Sequence, residues 1–174
     1  MEKRELIKIF KENHQKLIQY VDNLDSEEFI YIYNNKWSAA QQLKHILLTL
    51  MPFPKILSSK AYMAEKFGTI DRPTWDYQKV FDNYLKTDRK SPEQFVPDTV
   101  ILFDQKQEII SNIQHHVEII LILLNNYSEE ELDSLSIPHP LLGKLTIREM
   151  FYLMSYHPLH HLKQVELSSE NYRK

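Results

Sequence analysis

Cysteine is absent from the 174-residue chain, and glycine occurs only twice. Without cysteine the chain has no thiol nucleophile, no disulfide and no cysteine-based zinc site. Two glycines are too few for a Gly-rich nucleotide loop or for a β-sandwich with many tight turns, so a mostly helical fold is favoured. The formal net charge is −3 and no basic run is present, which argues against nucleic acid as a partner.

Long hydrophobic runs are missing as well. No apolar stretch approaches the ~20 residues that a transmembrane helix needs, and the charged N-terminal residues lack the apolar core of a signal peptide. We therefore expect no membrane contact and a cytoplasmic location. The apolar fraction of 43% and the charged fraction of 26% are typical of a folded protein, and the length fits one domain over residues 1–174.

Apolar residues recur at helical spacing in four stretches, near residues 3–23, 38–57, 98–125 and 146–168. Two of these stretches begin with a capping box, in which Ser38 pairs with Gln41 and Thr146 pairs with Glu149. The sequence thus predicts an all-α fold. We expect a four-helix bundle with a long crossover segment, residues 58–97, between the second and third helices.

The crossover segment, residues 58–97, is the least regular part of the chain. It contains Gly68 and three prolines, and aromatic residues are spread through it. We expect one or two short helices here, lying over an end of the bundle. The aromatic side chains would help to shape a pocket, although packing is the more common use of such residues. Asp98, directly after Pro97, is expected to cap the third helix.

Three of the eight histidines fall within residues 156–164, inside the last predicted helix. His157 and His161 are four residues apart, so they project from one helix face and can reach one metal ion together. Pro158 between them removes a helix hydrogen bond and tends to kink the chain. Taken alone, such a pair more often binds nothing. His45, two turns into the second helix, is also by itself more typical of a structural histidine.

With both capped helices in view, the sequence resembles the DinB-like superfamily of metalloenzymes, which includes bacillithiol transferases and mycothiol-dependent isomerases. The resemblance covers most of the chain. It is carried by Trp37-Ser38, His45, His139-Pro140-Leu141-Leu142-Gly143, His157, His160, His161 and Gln164. The resemblance implies a four-helix bundle in which three histidines bind one divalent metal ion. These three carry over to His45, His157 and His161.

The ligand set implied by the resemblance narrows the chemistry. Three neutral imidazoles leave coordination positions open, as in catalytic rather than structural sites. Zinc or nickel suits such ligands, and a low-molecular-weight thiol is a candidate second cofactor. His160 is the local candidate for a general base. We expect a small molecule as the substrate, and a homodimer is left open.

Two classes of function follow from this interpretation. The first is a metal-dependent enzyme that transfers a small thiol to an electrophile or hydrolyses a small substrate. The second is a binding module that holds a ligand at a metal-bearing pocket without turnover. A helical interaction protein with an empty histidine cluster is a third, weaker alternative.

Overall fold

The computed structural model describes residues 1–87 and 91–174, and these residues are mostly helical. The α-helices are, in chain order, α1 (Lys3–Asp22), α2 (Ser26–Ile30), α3 (Ala39–Leu50), α4 (Phe53–Leu57), α5 (Lys60–Lys66), α6 (Tyr77–Leu85), α7 (Lys106–Asn125), α8 (Glu129–Ser134) and α9 (Ile147–Tyr172). Short 3-10 helices span Glu93–Phe95 and Phe103–Gln105, and two strands, β1 (Ser136–His139) and β2 (Gly143–Thr146), pair antiparallel. The predicted all-α class is confirmed at this level, with a small sheet added.

The four longest helices pack around a common core. Helix α1 lies along α9 and also contacts α7, while α3 contacts both α7 and α9. Aromatic side chains pack together in this core. The centre of the Phe151 ring lies 5.2 Å from that of Phe10 and 5.3 Å from that of Phe53. Edge-on contacts at these distances stabilise a core beyond the effect of burial alone. These contacts hold α9 against α1 and α4.

Both predicted capping boxes are present. The Ser38 hydroxyl accepts the Gln41 N–H, and the Thr146 hydroxyl accepts the Glu149 N–H, with the reciprocal side-chain bonds also formed. Each pair satisfies two backbone donors that a helix start leaves without partners. Helices α3 and α9 carry the candidate histidines, and the residue at which each helix starts is therefore fixed by local sequence.

Three of the predicted helices have different limits in the structure, and the last of them ends at Tyr172 rather than near residue 168. The stretch 38–57 divides into α3 and α4, because Pro52 has no N–H to continue the hydrogen-bond ladder. The third long helix begins at Lys106, so the prediction that Asp98 caps it is wrong. The Asp98 carbonyl instead accepts a hydrogen bond from the Gln41 side chain at 3.3 Å, which holds this extended chain against the start of α3.

The β1–β2 hairpin was not expected from the sequence. Its strands are four residues long, too short to show an alternating pattern, and prolines interrupt the region. Gly143 opens β2 with φ +75°, a left-handed conformation that side chains other than glycine rarely adopt. The other glycine, Gly68, also has a positive φ, at +73°, so neither glycine is replaceable at low cost.

The crossover segment contains α5, α6 and the 3-10 helix Glu93–Phe95, and residues 88–90 of it lie outside the described residues. One ion pair connects it to the start of α9. Arg72 donates to both carboxylate oxygens of Glu149, at 2.9 and 2.7 Å, and its guanidinium lies 3.9 Å from the centre of the Trp75 ring. The Trp75 N–H also donates to Glu149. The Glu149 carboxylate therefore caps α9 and also binds the crossover segment to the start of that helix.

None of the helices in residues 1–87 and 91–174 combines the length and the apolar character that a membrane span requires.

Candidate metal centre

Three histidines from two helices converge at one point of the core. His45 comes from α3, and His157 and His161 come from successive turns of α9. The Nε2 atom of His157 lies 3.2 Å from Nε2 of His45 and 2.9 Å from Nε2 of His161. All three side chains are buried. The spacing on α9 and the packing of α3 against α9 together produce this cluster, and Pro158 does not interrupt α9.

Two of the rings are oriented by hydrogen bonds at their outer nitrogens. The Nδ1 of His45 donates to the Phe95 carbonyl at 2.6 Å, and the Nδ1 of His161 donates to the side-chain oxygen of Gln42. Because a carbonyl oxygen only accepts, each of these rings carries its proton on Nδ1. A neutral imidazole in that form presents a lone pair at Nε2. The Nδ1 of His157 is buried without a hydrogen-bond partner among the described residues.

The Gln42 amide is held in one orientation by its other contacts. Its nitrogen donates to the Trp37 carbonyl at 3.3 Å and to the Gln164 side-chain oxygen at 3.1 Å. The amide oxygen is thereby directed to His161. Partners of this kind fix the tautomer and the ring direction of metal-ligating histidines. The Trp37 ring, stacked at 6.5 Å from that of His161, packs on the same side of the cluster.

This arrangement fits a divalent metal ion. Two imidazole nitrogens bound tetrahedrally to one zinc ion at ~2.0 Å lie about 3.3 Å apart, close to the nitrogen distances observed here. Without a cation, the Nε2 lone pairs of His45 and His161 both face Nε2 of His157, which has at most one proton to share between them. The three histidines form a group whose ligand atoms lie within 4.8 Å of one another, and no carboxylate of the described residues belongs to it.

The electrostatics of the cluster keep the rings neutral. Burial lowers the pKa of His45, and it lowers the pKa values of His157 and His161 well below the ordinary value of 6.5. Each ring also disfavours a positive charge on its neighbours, which lowers the pKa values of His157 and His161 further. Histidine binds a metal only as the neutral imidazole. The cluster therefore offers its ligand atoms at neutral pH without a prior loss of protons.

A cavity of about 240 Å³ opens beside the histidines. His45 and His157 line it, whereas His161 does not, so the histidine cluster forms part of one wall. The rest of the wall is mostly apolar and comes from α4, α9, the hairpin and the crossover segment, including Phe53, Ile56, Tyr84, Phe95, Ile137, Leu141, Met150, Leu153 and Met154. Two of these lining residues, Tyr84 and Phe95, are aromatic residues of the crossover segment. A mostly apolar cavity with a few polar groups is typical of a small-molecule site.

The sequence of the chain matches the model of a known protein superfamily. The DinB superfamily model matches residues 9–165, which include all three histidines of the cluster. The chain belongs to the DinB superfamily. No curated protein matches the chain.

Two further residues named from the DinB resemblance lie on α9 beside the cluster. The Nε2 of His160 accepts a hydrogen bond from the Gln164 side chain at 2.8 Å, and its ring centre lies 5.1 Å from that of His161. Burial lowers the pKa of His160, and the positive charges of Lys163 and Lys36 lower it further. His160 is not among the residues that line the cavity. Its role as a general base stays a prediction.

Two partners of the DinB histidine cluster were not found from the sequence. Gln42 directly follows a capping residue, so the sequence indicates only that it belongs to the helix start. Phe95 contributes a backbone carbonyl, and the identity of a side chain does not predict a contact made by the backbone. The one hint for Gln42 was its position three residues before His45 on the same helix. Both contacts join residues distant in sequence and depend on how α3, α9 and the crossover segment pack.

Proposed function

We propose that this DinB superfamily member is a metal-dependent enzyme that transfers a low-molecular-weight thiol to an electrophile, with hydrolysis of a small substrate as the neighbouring possibility. The chemistry would take place at one divalent ion, zinc or nickel, held by His45, His157 and His161 between the long helices of a four-helix bundle. One observation carries the proposal. Three Nε2 atoms of neutral, buried imidazoles converge beside an apolar cavity.

Some residues of the chain would bind the ion, and others would bind the substrate. His45 and His157 line the cavity and would also hold the ion, so they would set where a bound nucleophile meets the organic partner. The apolar wall binds that partner and excludes water from the reacting groups. Because the chain contains no cysteine, the sulfur must come from a separate small molecule.

A divalent ion held by the neutral side chains of His45, His157 and His161 would keep its full charge, and it would lower the pKa of bound water to ~7 or hold a thiol as the thiolate. Zinc has a high affinity for thiolate sulfur. This property supports thiol transfer over hydrolysis, since binding would also generate the nucleophile.

The reaction is tested by turnover of a chromogenic aryl halide with a panel of low-molecular-weight thiols. We expect zinc- or nickel-loaded protein, purified without a histidine tag, to accelerate arylation of at least one thiol. His45→Ala should lower that rate to the uncatalysed level, because the substitution removes a proposed ligand beside the cavity. Rates are compared after the metal content of each protein has been measured.

The outcomes of this assay separate the two classes of function. Metal-loaded protein that accelerates neither thiol transfer nor ester hydrolysis would support the alternative, a non-catalytic module that binds a ligand at its metal. Equal rates for wild type and His45→Ala would remove the metal from the mechanism.

A second prediction concerns the orientation of His161. Gln42→Ala removes the acceptor of its Nδ1–H, so we expect the affinity for zinc to fall by about 10- to 100-fold, the usual effect of losing such a partner. Competition with a fluorescent zinc chelator measures this change. The fold should persist, because Gln42 contributes no capping bond to α3.

The neighbouring glutamine provides the matched control. Gln41 is also buried at the start of α3, but it caps the helix and makes no hydrogen bond to a histidine of the described residues. Gln41→Ala should lower stability by about 1 kcal/mol and leave zinc affinity unchanged. If both variants lose the same affinity, the effect of Gln42 comes from the helix start and not from His161.

A further inference from the structure

His139 is a fourth imidazole at the cavity, on the hairpin and outside the histidine cluster. It is the last residue of β1, it is half-buried, and it lines the cavity together with His45 and His157. Its ring lies edge-on to Tyr84, with 6.4 Å between the ring centres. The surrounding wall is formed largely by aliphatic, proline and aromatic side chains. His139 is therefore a polar group in an apolar part of the pocket.

The hairpin turn fixes the protonation of this ring. The Nδ1 of His139 accepts the backbone N–H groups of Leu141 and Leu142, at 3.2 and 3.1 Å. A backbone N–H only donates, so Nδ1 must carry a lone pair and the proton of the neutral ring must be on Nε2. Burial lowers the pKa of His139 to about 4, so the ring is neutral at neutral pH.

The Nε2–H of His139 points away from the two turn amides and is available to a ligand. It has no hydrogen-bond acceptor among the described residues, and the protein does not enclose it fully. Because His139 lines a largely apolar cavity, an Nε2–H without a partner in the protein would discriminate between the ligands of that cavity. A molecule without an acceptor would fill the cavity and leave the N–H desolvated and unpaired, which costs binding energy.

We propose that His139 determines ligand specificity: its Nε2–H donates a hydrogen bond to an oxygen acceptor on an otherwise apolar molecule bound in the cavity. The inference rests on the proposed function in one respect, since it takes this cavity to be the substrate pocket. It adds the substrate class, an aromatic or aliphatic body that bears an oxygen acceptor. The competing interpretation is that His139 only stabilises the hairpin turn.

Two fluorescent dyes with the same aromatic body test the proposal. 8-Anilinonaphthalene-1-sulfonate carries a sulfonate, whereas N-phenyl-1-naphthylamine lacks it, and sulfonate is a poor ligand for zinc. We expect His139→Asn to weaken binding of the sulfonate dye by about tenfold, the value of one hydrogen bond to a charged acceptor. Binding of the neutral dye should change by less than about twofold, since it makes no such bond.

Two substitutions separate the turn contact from the ligand contact. In His139→Asn, the oxygen of the shorter amide side chain reaches the position of Nδ1 and can still accept the turn amides, but no donor reaches as far as Nε2. His139→Gln places an amide nitrogen near the position of Nε2 and loses the turn contact. We therefore expect the glutamine variant to melt at a lower temperature yet to keep the preference for the sulfonate dye.

Several results would overturn the proposal. If His139→Asn weakened the binding of both dyes equally and also lowered stability, His139 would only stabilise the turn. The same conclusion would follow if the glutamine variant lost the sulfonate preference. Thr49→Trp, which fills the cavity from a half-buried wall position, should abolish binding of both dyes, and unchanged binding there would place the ligand outside the cavity.

The protonation state has its own readout. A long-range proton–nitrogen correlation spectrum of histidine-labelled protein should show His139 protonated at Nε2 alone between about pH 5 and 8, and protonation at Nδ1 alone would contradict the proposal. The dye titrations are run on both zinc-loaded and chelator-treated protein. If His139→Asn weakens binding of the sulfonate dye alone in both forms, the role of His139 in specificity is supported whether or not the protein binds a metal. Metal analysis tests the metal proposal separately.

Discussion

Replacing His157 by alanine is expected to abolish metal binding. His157 is the central member of the cluster, because its Nε2 lies within 3.2 Å of Nε2 in His45 and within 2.9 Å of Nε2 in His161. Loss of a ligand should reduce zinc affinity by more than the ~100-fold that loss of a ligand's hydrogen-bond partner costs. Metal analysis of protein purified without a histidine tag, together with zinc titration, measures the change.

The same substitution should remove the effect of metal on thermal stability. An ion that binds only the folded chain adds about 2.7 kcal/mol at 100 times its Kd. For a chain of this length, that corresponds to a rise in Tm of roughly 5–10 °C. We expect this rise in the wild type and none in His157→Ala. The metal-free variant should still fold, because the substitution also removes Nδ1, a buried atom without a partner among the described residues.

His115→Ala is the control for this experiment. His115 is exposed on α7 and is not part of the cluster, so its loss should change neither metal content nor the metal-dependent Tm. If His157→Ala keeps one zinc per chain and the full rise in Tm, His157 is not a ligand. If His115→Ala loses as much metal as His157→Ala, the binding measured is that of surface histidines.

Replacing Glu149 by glutamine is expected to produce a large loss of stability. This buried carboxylate accepts four hydrogen bonds, two from Arg72 and one each from the backbone N–H groups of Trp75 and Thr146. Glutamine removes the charge and brings an NH2 donor against groups that only donate. We expect a loss of about 3 kcal/mol, or roughly 6–12 °C in Tm, measured by urea and thermal unfolding at pH 7.

The effect of this substitution should depend on pH. Burial alone would raise the pKa of the Glu149 carboxyl, but the hydrogen bonds from Arg72, Trp75 and Thr146 outweigh it and hold the pKa below its ordinary value of 4.5. A depressed pKa contributes stability that is present above the unfolded-state value and is lost as pH falls through the folded-state value. The difference between wild type and Glu149→Gln should therefore be constant from pH 6 to 8 and shrink below pH 4.5.

Glu118→Gln supplies the matched comparison, since Glu118 is an exposed carboxylate on α7. Its stability should change by less than ~0.5 kcal/mol at any of these pH values. A Glu149→Gln variant as stable as Glu118→Gln would show that the connection between α9 and the crossover segment carries little energy.

The local features of the fold were readable from sequence because they depend on neighbouring residues. Apolar periodicity identified the long helices, and the capping boxes at Ser38 and Thr146 placed the starts of α3 and α9. The spacing of His157 and His161 on α9 followed directly from helix geometry. The errors fell where local signals are weak. The hairpin strands are too short to alternate, and Asp98, although a good capping residue, lies in extended chain ahead of α7.

The sequence by itself determined the helical class, the helix starts and the pairing of two histidines on one helix face, since each rests on contacts within a few residues. Only the tertiary structure decided which groups orient that pair and what surrounds it. The Phe95 carbonyl meets His45, and Gln42 meets His161, across separations of 50 and 119 residues. Such contacts depend on how the helices pack, and packing is set by the shape of the whole core. The same packing places His139 at an apolar cavity that no single stretch of sequence encodes.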